Sequence, residues 1–272
     1  MFYFIIILFS RTITPSALTP IVGGDIVRNE GVIKYPYMVS LQQKFNKTPE
    51  NDEFYYKHFC GGSLLNSEWI LSAGHCLWNK NIANVFAVIG HKNITNISQK
   101  HRFAIDRVEF IHFQPTNLQN DIALLHLQTN NKFPDINFNN YDFYGNLPSY
   151  GMKAFRKNPC KIIGFGAKRH AGLIQEQLHE AEVYVITNKR CRSLLGYVWA
   201  PQKGDNTVCA LGISQEDTCQ GDSGGPLICQ YNGKYYIYGI VSYGLTCGIK
   251  GMPSIYTLTG PYIEWIHLII NE

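Results

Sequence analysis

The chain has few charged residues, no cluster of basic residues and no apolar run of membrane-spanning length. Asp, Glu, Lys and Arg form 16% of its 272 residues, a share that is not typical of a coiled coil or a disordered chain. The net charge is only +4 and no long Lys/Arg run occurs, so we expect no nucleic-acid partner. The apolar run at residues 2–9 is too short to span a bilayer, and we expect no membrane partner.

The sequence also lacks a CxxC pair, and no His lies at ligand spacing from two cysteines. This absence argues against a structural zinc site, for which closely spaced cysteine and histidine ligands are typical. Eight cysteines are present, an even number that favours disulfide bonds in a secreted protein. They are Cys60, Cys76, Cys160, Cys191, Cys209, Cys219, Cys229 and Cys247.

The start of the chain indicates secretion. The uninterrupted apolar stretch FYFIIILF is typical of the hydrophobic region of a signal peptide, although no Lys or Arg precedes it. We therefore expect residues 1–20 to comprise a signal peptide and a short propeptide, with signal cleavage after Ser10 or Ser16. The mature chain, residues 21–272, would be a soluble extracellular protein. Three N-x-S/T sequons are glycosylation candidates, at Asn46, Asn93 and Asn96.

Short runs rich in β-branched and aromatic residues recur along the chain, separated by Gly, Pro and Asn. Many short strands with turn signals between them predict an all-β sandwich or barrel. The runs are 37–42, 63–72, 85–90, 122–127, 183–186, 226–229, 235–242 and 254–257. One helix is predicted, at the C-terminus, where Tyr262, Ile263, Ile266 and Ile270 recur at helical spacing after Pro261.

The stretch CQGDSGGP at 219–226 places a serine among three glycines, with an aspartate before it. A surface turn explains the glycines alone, whereas a nucleophile in a loop with exposed backbone N–H groups explains the whole stretch. Serine needs a base to take its proton, and His75, in LSAGHC, is the candidate for Ser223. Asp121 opens the apolar run NDIALLHL. A carboxylate at the mouth of a buried strand needs a partner, and histidine is a natural one.

Four segments together resemble the trypsin/chymotrypsin family of serine endopeptidases: IVGG at 21–24, SAGHC at 72–76, NDIALL at 120–125 and DTCQGDSGGP at 217–226. The chain order His, Asp, Ser is also that of the family, and differs from the subtilisin and α/β-hydrolase orders. The resemblance covers about residues 21–272. It implies two six-stranded antiparallel Greek-key β-barrels of the chymotrypsin-like kind, with the active site between them and a C-terminal helix.

The resemblance implies a secreted trypsin-like endopeptidase that works through an acyl-enzyme, without a cofactor or a metal. Ser223 would attack the scissile carbonyl, His75 would carry the proton, and Asp121 would orient the imidazole. The backbone N–H groups of Gly221 and Ser223 would form the oxyanion hole. The rival interpretation is a non-catalytic homologue that kept the fold as a binding or regulatory module.

The resemblance also assigns a substrate pocket. Asp217 matches the pocket floor, where a buried carboxylate attracts Arg or Lys of the substrate, and Thr218 adds a hydroxyl. Ser254 stands where trypsin has a pocket-wall glycine, so we expect a narrower pocket. Ser242 matches a serine that hydrogen-bonds the triad aspartate, and Gly244 matches a glycine that pairs with extended substrate. Expected partners are protein or peptide substrates with Arg or Lys at the cleavage site, and protein protease inhibitors.

The family's disulfide pattern and activation switch carry over as well. The implied pairs are Cys60–Cys76, Cys160–Cys229, Cys191–Cys209 and Cys219–Cys247. In the family a new N-terminus, here Ile21, folds inward and pairs with the Asp before the nucleophile, here Asp222. The residue before the cleaved bond is usually Arg or Lys, but here it is Pro20. We therefore expect no self-activation, and either a dedicated peptidase trims this region or residues 1–20 are a misassigned start.

Other departures from trypsin concern a loop and a metal. The segment between Leu41 and Phe59 is longer than in trypsin, and we expect a long loop beside the cleft. Either a restricted substrate range or neutral drift would account for it.

The positions that match trypsin's calcium ligands are His91, Ser98 and His101, which offer no carboxylate, so we expect no calcium. We expect a monomer.

Overall fold

Thirteen short strands form most of the fold in the computed structural model, which describes residues 21–28, 34–48, 51–128, 146–153, 158–202 and 204–272. The signal peptide and propeptide predicted over residues 1–20 lie outside the described residues. The strands are β1 (Asp25–Ile26), β2 (Met38–Thr48), β3 (Asn51–Leu64), β4 (Trp69–Ser72), β5 (Val85–Ile89), β6 (Phe103–Phe110), β7 (Ala123–Leu127), β8 (Cys160–Gly164), β9 (His179–Ile186), β10 (Thr207–Gly212), β11 (Pro226–Tyr231), β12 (Lys234–Tyr243) and β13 (Ser254–Leu258). The helices are α1 (Gly74–Leu77), α2 (Asn188–Trp199) and α3 (Ile263–Ile270).

The first barrel closes in the order β2-β3-β4-β7-β6-β5, with every pairing antiparallel. Along β2 the side chains alternate, so that Val39 and Leu41 enter the barrel and are fully buried. Leu71 of β4 lies opposite Leu124 of β7, and both are buried. Burial of each such side chain stabilises the fold by about 1.5–3 kcal/mol.

The second barrel has the order β9-β10-β13-β12-β11-β8, and pairing of β8 with β9 closes it. β1 adds to the outside of β9, with Asp25 opposite Glu180. Ile162, Leu227 and Tyr256 fill the interior and are fully buried. The two closed six-stranded barrels confirm the predicted fold class.

The described residues between Leu41 and Phe59, which we expected to form a long loop, belong to the long antiparallel hairpin of β2 and β3. Phe45 lies opposite Tyr55 across the hairpin, and their rings stack with centroids 5.3 Å apart. Such aromatic cross-strand pairs stabilise a two-stranded ribbon. The hairpin leaves the barrel next to the predicted nucleophile loop, since Gly61, at the base of β3, donates a hydrogen bond to the Ser223 carbonyl at 2.7 Å.

Two further details differ from the sequence prediction. The run predicted over 63–72 is broken, because the Asn66 side chain accepts hydrogen bonds from the N–H groups of Glu68 and Trp69 and forms a turn. Strands β6, β8 and β10 were not in the predicted set. Each of them carries charged or small residues between its apolar ones, which hides the alternation expected of a strand.

The C-terminal helix α3 confirms the helix predicted after Pro261, and its Ile266 is fully buried against the first barrel. The prediction of a single helix is wrong, because α2 is also helical, with a kink at Gly196, whose φ is +76°. The Thr187 hydroxyl caps α2 by accepting from Arg190 N at 3.0 Å. Cys191 and Leu195 are its only buried residues, so its helical period is weak in the sequence. No helix of the described part of the chain is long and apolar enough to cross a membrane.

Four disulfides join the eight cysteines, and none of the eight is free. Cys60–Cys76 joins β3 to α1, and Cys160–Cys229 joins β8 to β11. Cys191–Cys209 fixes α2 on β10, and Cys219–Cys247 links two loops of the second barrel. The pairs are those that the family resemblance implies.

Candidate active site

His75 and Asp121 meet at the edge of the first barrel, where α1 follows β4 and Asp121 precedes β7. The His75 ring places Nδ1 2.8 Å from Asp121 Oδ2, and the His75 backbone N–H donates to Oδ1 at 2.8 Å. The Ser242 hydroxyl also donates to Oδ2, at 2.5 Å. Asp121 is completely buried, whereas His75 is partly exposed. Because the buried carboxylate accepts from Nδ1, the proton is held there and Nε2 is left to accept another.

Ser223 lies on the second barrel's side of the same cleft. Its carbonyl accepts from Gly61 N, and Gly61 follows Cys60, which is bonded to Cys76 beside His75. Among the described residues, no hydrogen bond joins the Ser223 hydroxyl to the His75 ring. Catalytic hydrogen bonds of this kind often tighten only when substrate is bound. The two residues are linked through Ser242, which lines the cavity beside Ser223 and donates to the Asp121 carboxylate that holds His75.

The loop before Ser223 presents two backbone donors. Gly221 has φ +98°, a conformation that favours glycine, and a Cβ there would come within 2.5 Å of Ile174. No described hydrogen bond uses the N–H of Gly221 or of Ser223 as its donor. Two unpaired N–H groups in one tight loop form a ready site for an oxygen that carries negative charge.

Asp222 is a buried carboxylate held by backbone donors. Its Oδ1 accepts from Gly166 N at 2.8 Å and its Oδ2 from Cys219 N at 2.9 Å. A Cβ at Gly164 or Gly166 would come within about 2.2 Å of these oxygens, so both glycines make room for the carboxylate. No ion pair of the described residues includes Asp222. Burial therefore raises the pKa of Asp222 to about 7.

This pKa predicts how the stability of the unprocessed chain depends on pH. Burial raises the Asp222 pKa from 3.8 to about 7, so the folded state prefers the protonated acid. The favourable contribution is complete below about pH 4 and is lost as the pH rises to about 7, at roughly 1.4 kcal/mol per pKa unit. We expect the urea unfolding free energy of the unprocessed chain, measured relative to that of the Asp222→Asn variant, to fall over this range.

The comparison with Asp222→Asn isolates this contribution, because the amide does not titrate, whereas Asp217 and His58 are present in both proteins. Asp25→Asn is the matched control, since Asp25 is exposed on β1. An equal fall in stability between pH 4 and 7 for the Asp222→Asn and Asp25→Asn variants would contradict the assignment to Asp222.

Ile21 lies close to this loop in a strained conformation. Its side chain is fully buried in the core of the second barrel. The next residue, Val22, pairs with Asp217 through an isolated antiparallel β-bridge of the backbone. The backbone of Ile21 has φ +37°, which for a β-branched residue is a genuine outlier. Such a conformation costs about 1–3 kcal/mol. The backbone is therefore strained at Ile21.

A cavity of about 190 Å³ opens beside Ser223, lined in part by Thr218, Tyr243, Gly244 and Ser254. Asp217 lies behind two of these residues, Thr218 and Ser254, which hydrogen-bond to it, and is 4% exposed. Its carboxylate accepts from the Ser254 hydroxyl at 2.6 Å and from the backbone N–H groups of Thr218 and Gly248, at 2.8 and 3.1 Å. Burial raises the Asp217 pKa to about 6, although these donors oppose the shift. A partly compensated buried acid thus lies directly behind the cavity wall formed by Thr218 and Ser254.

Sequence reasoning missed a buried histidine behind the loop. The Nε2 of His58 lies 2.8 Å from the Gly221 carbonyl, and its Nδ1 lies 2.8 Å from the Ser40 hydroxyl. Burial lowers the His58 pKa to about 4, so the ring is neutral and donates from Nε2 to the carbonyl. His58 therefore fixes one peptide of the loop that contains Ser223. The sequence HFC does place His58 two residues before Cys60, but a lone histidine carries no signal of this role.

The remaining predicted residues lie outside the cleft. Asn96 is exposed, whereas Asn93 is partly buried and its side chain accepts from Thr95 N at 2.7 Å. Asn46 is exposed on β2. His91 and His101, from the positions that match the calcium ligands of trypsin, have ring centroids 5.1 Å apart.

One group of the described residues has the spacing of metal ligands, namely Cys60, His75 and Cys76. Its two sulfur atoms form a disulfide, so they are not available as thiolate ligands.

Comparisons with known proteins agree with this arrangement. The trypsin family model matches residues 21–266. The chain is 31% identical over 262 residues to chymotrypsin-like elastase family member 1 of Felis catus, covering 94% of this chain and 91% of that protein. It is 30% identical over 264 residues to the same protein of Rattus norvegicus, with the same coverage. It is 32% identical over 263 residues to urokinase-type plasminogen activator of Gallus gallus, covering 92% of this chain and 57% of that protein.

Proposed function

The chain belongs to the trypsin family of serine proteases, and on that premise we propose that it is a secreted endopeptidase that cleaves after arginine or lysine. The observation that carries the specificity is the buried Asp217 behind Thr218 and Ser254, which line the cavity beside Ser223. A carboxylate in this place attracts a cationic substrate side chain. An apolar substrate side chain would leave the negative charge of the carboxylate without a counter-charge. Expected partners are such substrates and protein protease inhibitors.

In the proposed reaction Ser223 is the nucleophile and His75 the general base and acid. Nδ1 of His75 is held by the buried Asp121, so Nε2 takes the hydroxyl proton as Ser223 adds to the scissile carbonyl. The negative oxygen that forms is bound by the N–H groups of Gly221 and Ser223. His75 then returns the proton to the leaving amine, and water hydrolyses the acyl-enzyme by the same route.

Substrate specificity is the part of this proposal that most needs a test, because two of the similar proteins are named elastases. Peptide-library profiling of the processed enzyme, read by mass spectrometry, measures the residue before each cleaved bond. We expect Arg or Lys at nearly all cleaved bonds. A profile dominated by Ala, Val or Leu would overturn the assignment of Asp217 as the specificity residue.

We further propose that the enzyme is made as a precursor and switched on by cleavage before Ile21. Cleavage would release the strained φ of Ile21 and create an ammonium group. Pairing of this group with Asp222 would neutralise a carboxylate that has no cationic partner among the described residues. Because Asp222 adjoins Ser223, the ion pair would stabilise the loop that carries the nucleophile. The precursor would not activate itself, since Pro20 precedes Ile21.

N-terminal sequencing of the active protein purified from its natural source tests this switch. We expect Ile21 as the first residue, and we expect the purified precursor to stay inactive when incubated alone at high concentration. An active enzyme whose chain begins at Arg11 or Leu18 would contradict the ion pair between Ile21 and Asp222.

A further inference from the structure

We propose that Ser254 makes this enzyme prefer lysine to arginine, because its hydroxyl occupies the carboxylate that an arginine would need. The inference rests on the proposed function of Asp217. Ser254 is 2% exposed and forms part of the wall of the cavity beside Ser223. Its hydroxyl donates to Asp217 Oδ1 at 2.6 Å.

The hydrogen-bonding capacity of Asp217 supports this proposal. Each carboxylate oxygen has two lone pairs, and Oδ1 already accepts from the Ser254 hydroxyl and from Thr218 N at 2.8 Å. Among the described residues, Oδ2 accepts only from Gly248 N, at 3.1 Å. A guanidinium that binds in the bidentate mode needs a free acceptor on both oxygens. An arginine must therefore displace the Ser254 hydroxyl before it can make its second hydrogen bond.

The position of Ser254 in the cavity acts in the same direction. Of the described residues around the cavity, Thr218 and Ser254 line it and Asp217 does not. A Cβ added to Gly244, on another part of the wall, would lie 2.8 Å from the Ser254 hydroxyl oxygen. The hydroxyl thus occupies the space between Gly244 of the cavity wall and the Asp217 carboxylate. A planar guanidinium needs more width at that depth than an ammonium group does.

A lysine fits these groups without displacing any of them. Its ammonium is compact and has three donors, and one of them can bind the remaining lone pair of Asp217 Oδ2. The Ser254 hydroxyl donates its own proton to Asp217 and keeps its lone pairs for a second donor. The Thr218 hydroxyl can accept the third. The lysine charge is then balanced by Asp217, and every donor of the ammonium group is satisfied.

Matched peptide substrates that differ only in Lys or Arg before the scissile bond test this inference. For the processed enzyme we expect kcat/KM to favour Lys by about tenfold or more. Ser254→Ala removes the hydroxyl and keeps the Cβ, and it should shift the ratio toward Arg by about tenfold. Ser254→Gly should shift it at least as far. Ser193→Ala is the matched control, because Ser193 is exposed on α2, and it should leave the ratio unchanged.

The outcomes separate this inference from the function on which it rests. Rapid cleavage after both residues, with Arg equal to or better than Lys, would overturn the role of Ser254 and leave the proposed function standing. An unchanged ratio in Ser254→Ala would do the same. Cleavage after neither residue, with activity on Ala or Leu substrates, would overturn both.

Inhibition of the unmodified enzyme gives a check that needs no variant. An alkylamine should compete more strongly than the alkylguanidine of equal chain length, and the reverse order would contradict the inference.

Discussion

Replacement of Ser223 or of His75 by alanine in the processed protein should each lower kcat by about 10⁴-fold or more. The nucleophile is lost in the first variant. In the second, no base takes the hydroxyl proton, while Asp121 stays buried among its remaining donors, Ser242 and the backbone N–H at position 75. Steady-state hydrolysis of a lysine peptide measures both variants, and Ser193→Ala should match the unmodified enzyme.

The double variant distinguishes a catalytic unit from two independent contributions. Because His75 acts only through the Ser223 hydroxyl, loss of both side chains should cost little more than loss of either one. Multiplied losses in the double variant would contradict the shared mechanism. KM and circular dichroism should stay close to those of the unmodified enzyme, since neither side chain belongs to the buried core.

Replacement of Asp217 by serine should lower kcat/KM on lysine and arginine peptides by about 10³–10⁵-fold. Without the Asp217 carboxylate, a cationic substrate side chain in the cavity has no counter-charge. The loss is large because this site is buried, with Asp217 only 4% exposed, so water does not replace the lost interaction. Peptides with leucine in the same position should lose little or gain. The measurement is kcat/KM for both substrate classes with both enzymes.

Two results would contradict the role of Asp217. One is an equal loss on lysine and leucine peptides, which would indicate a damaged fold. The other is an unmodified enzyme that already cleaves both classes at comparable rates.

The architecture could be predicted from sequence because the motifs at 21–24, 72–76, 120–125 and 217–226 identify the family. Individual secondary-structure elements were harder to predict from the sequence. The helix α2 buries only Cys191 and Leu195, so its period is too weak to recognise. The hairpin of β2 and β3 was expected to be a loop because its charged residues hide the aromatic cross-strand pairs. Both elements are stabilised by contacts that a single local window does not contain.

In the candidate site, too, some residues could be predicted from the sequence and others could not. The sequence indicated His75, Asp121 and Ser223 from their local motifs, and the family resemblance joined them as one triad. It did not indicate His58, whose contact with the Gly221 carbonyl spans 163 residues. It also did not show that the Ser254 hydroxyl is bonded to Asp217, since the sequence indicates only that a small polar residue replaces a glycine. Long-range hydrogen bonds of buried polar groups depend on the finished fold, and no local pattern encodes them.

Covalent labelling of Ser223 tests the central claim most directly. A fluorophosphonate reacts only with a serine whose hydroxyl is activated and whose oxyanion site is formed. The protein whose chain begins at Ile21 should be labelled once, at Ser223 as located by peptide mass mapping, and His75→Ala should abolish the labelling. A folded protein that begins at Ile21, contains its four disulfides and is not labelled would contradict the claim and would indicate a non-catalytic binding protein instead.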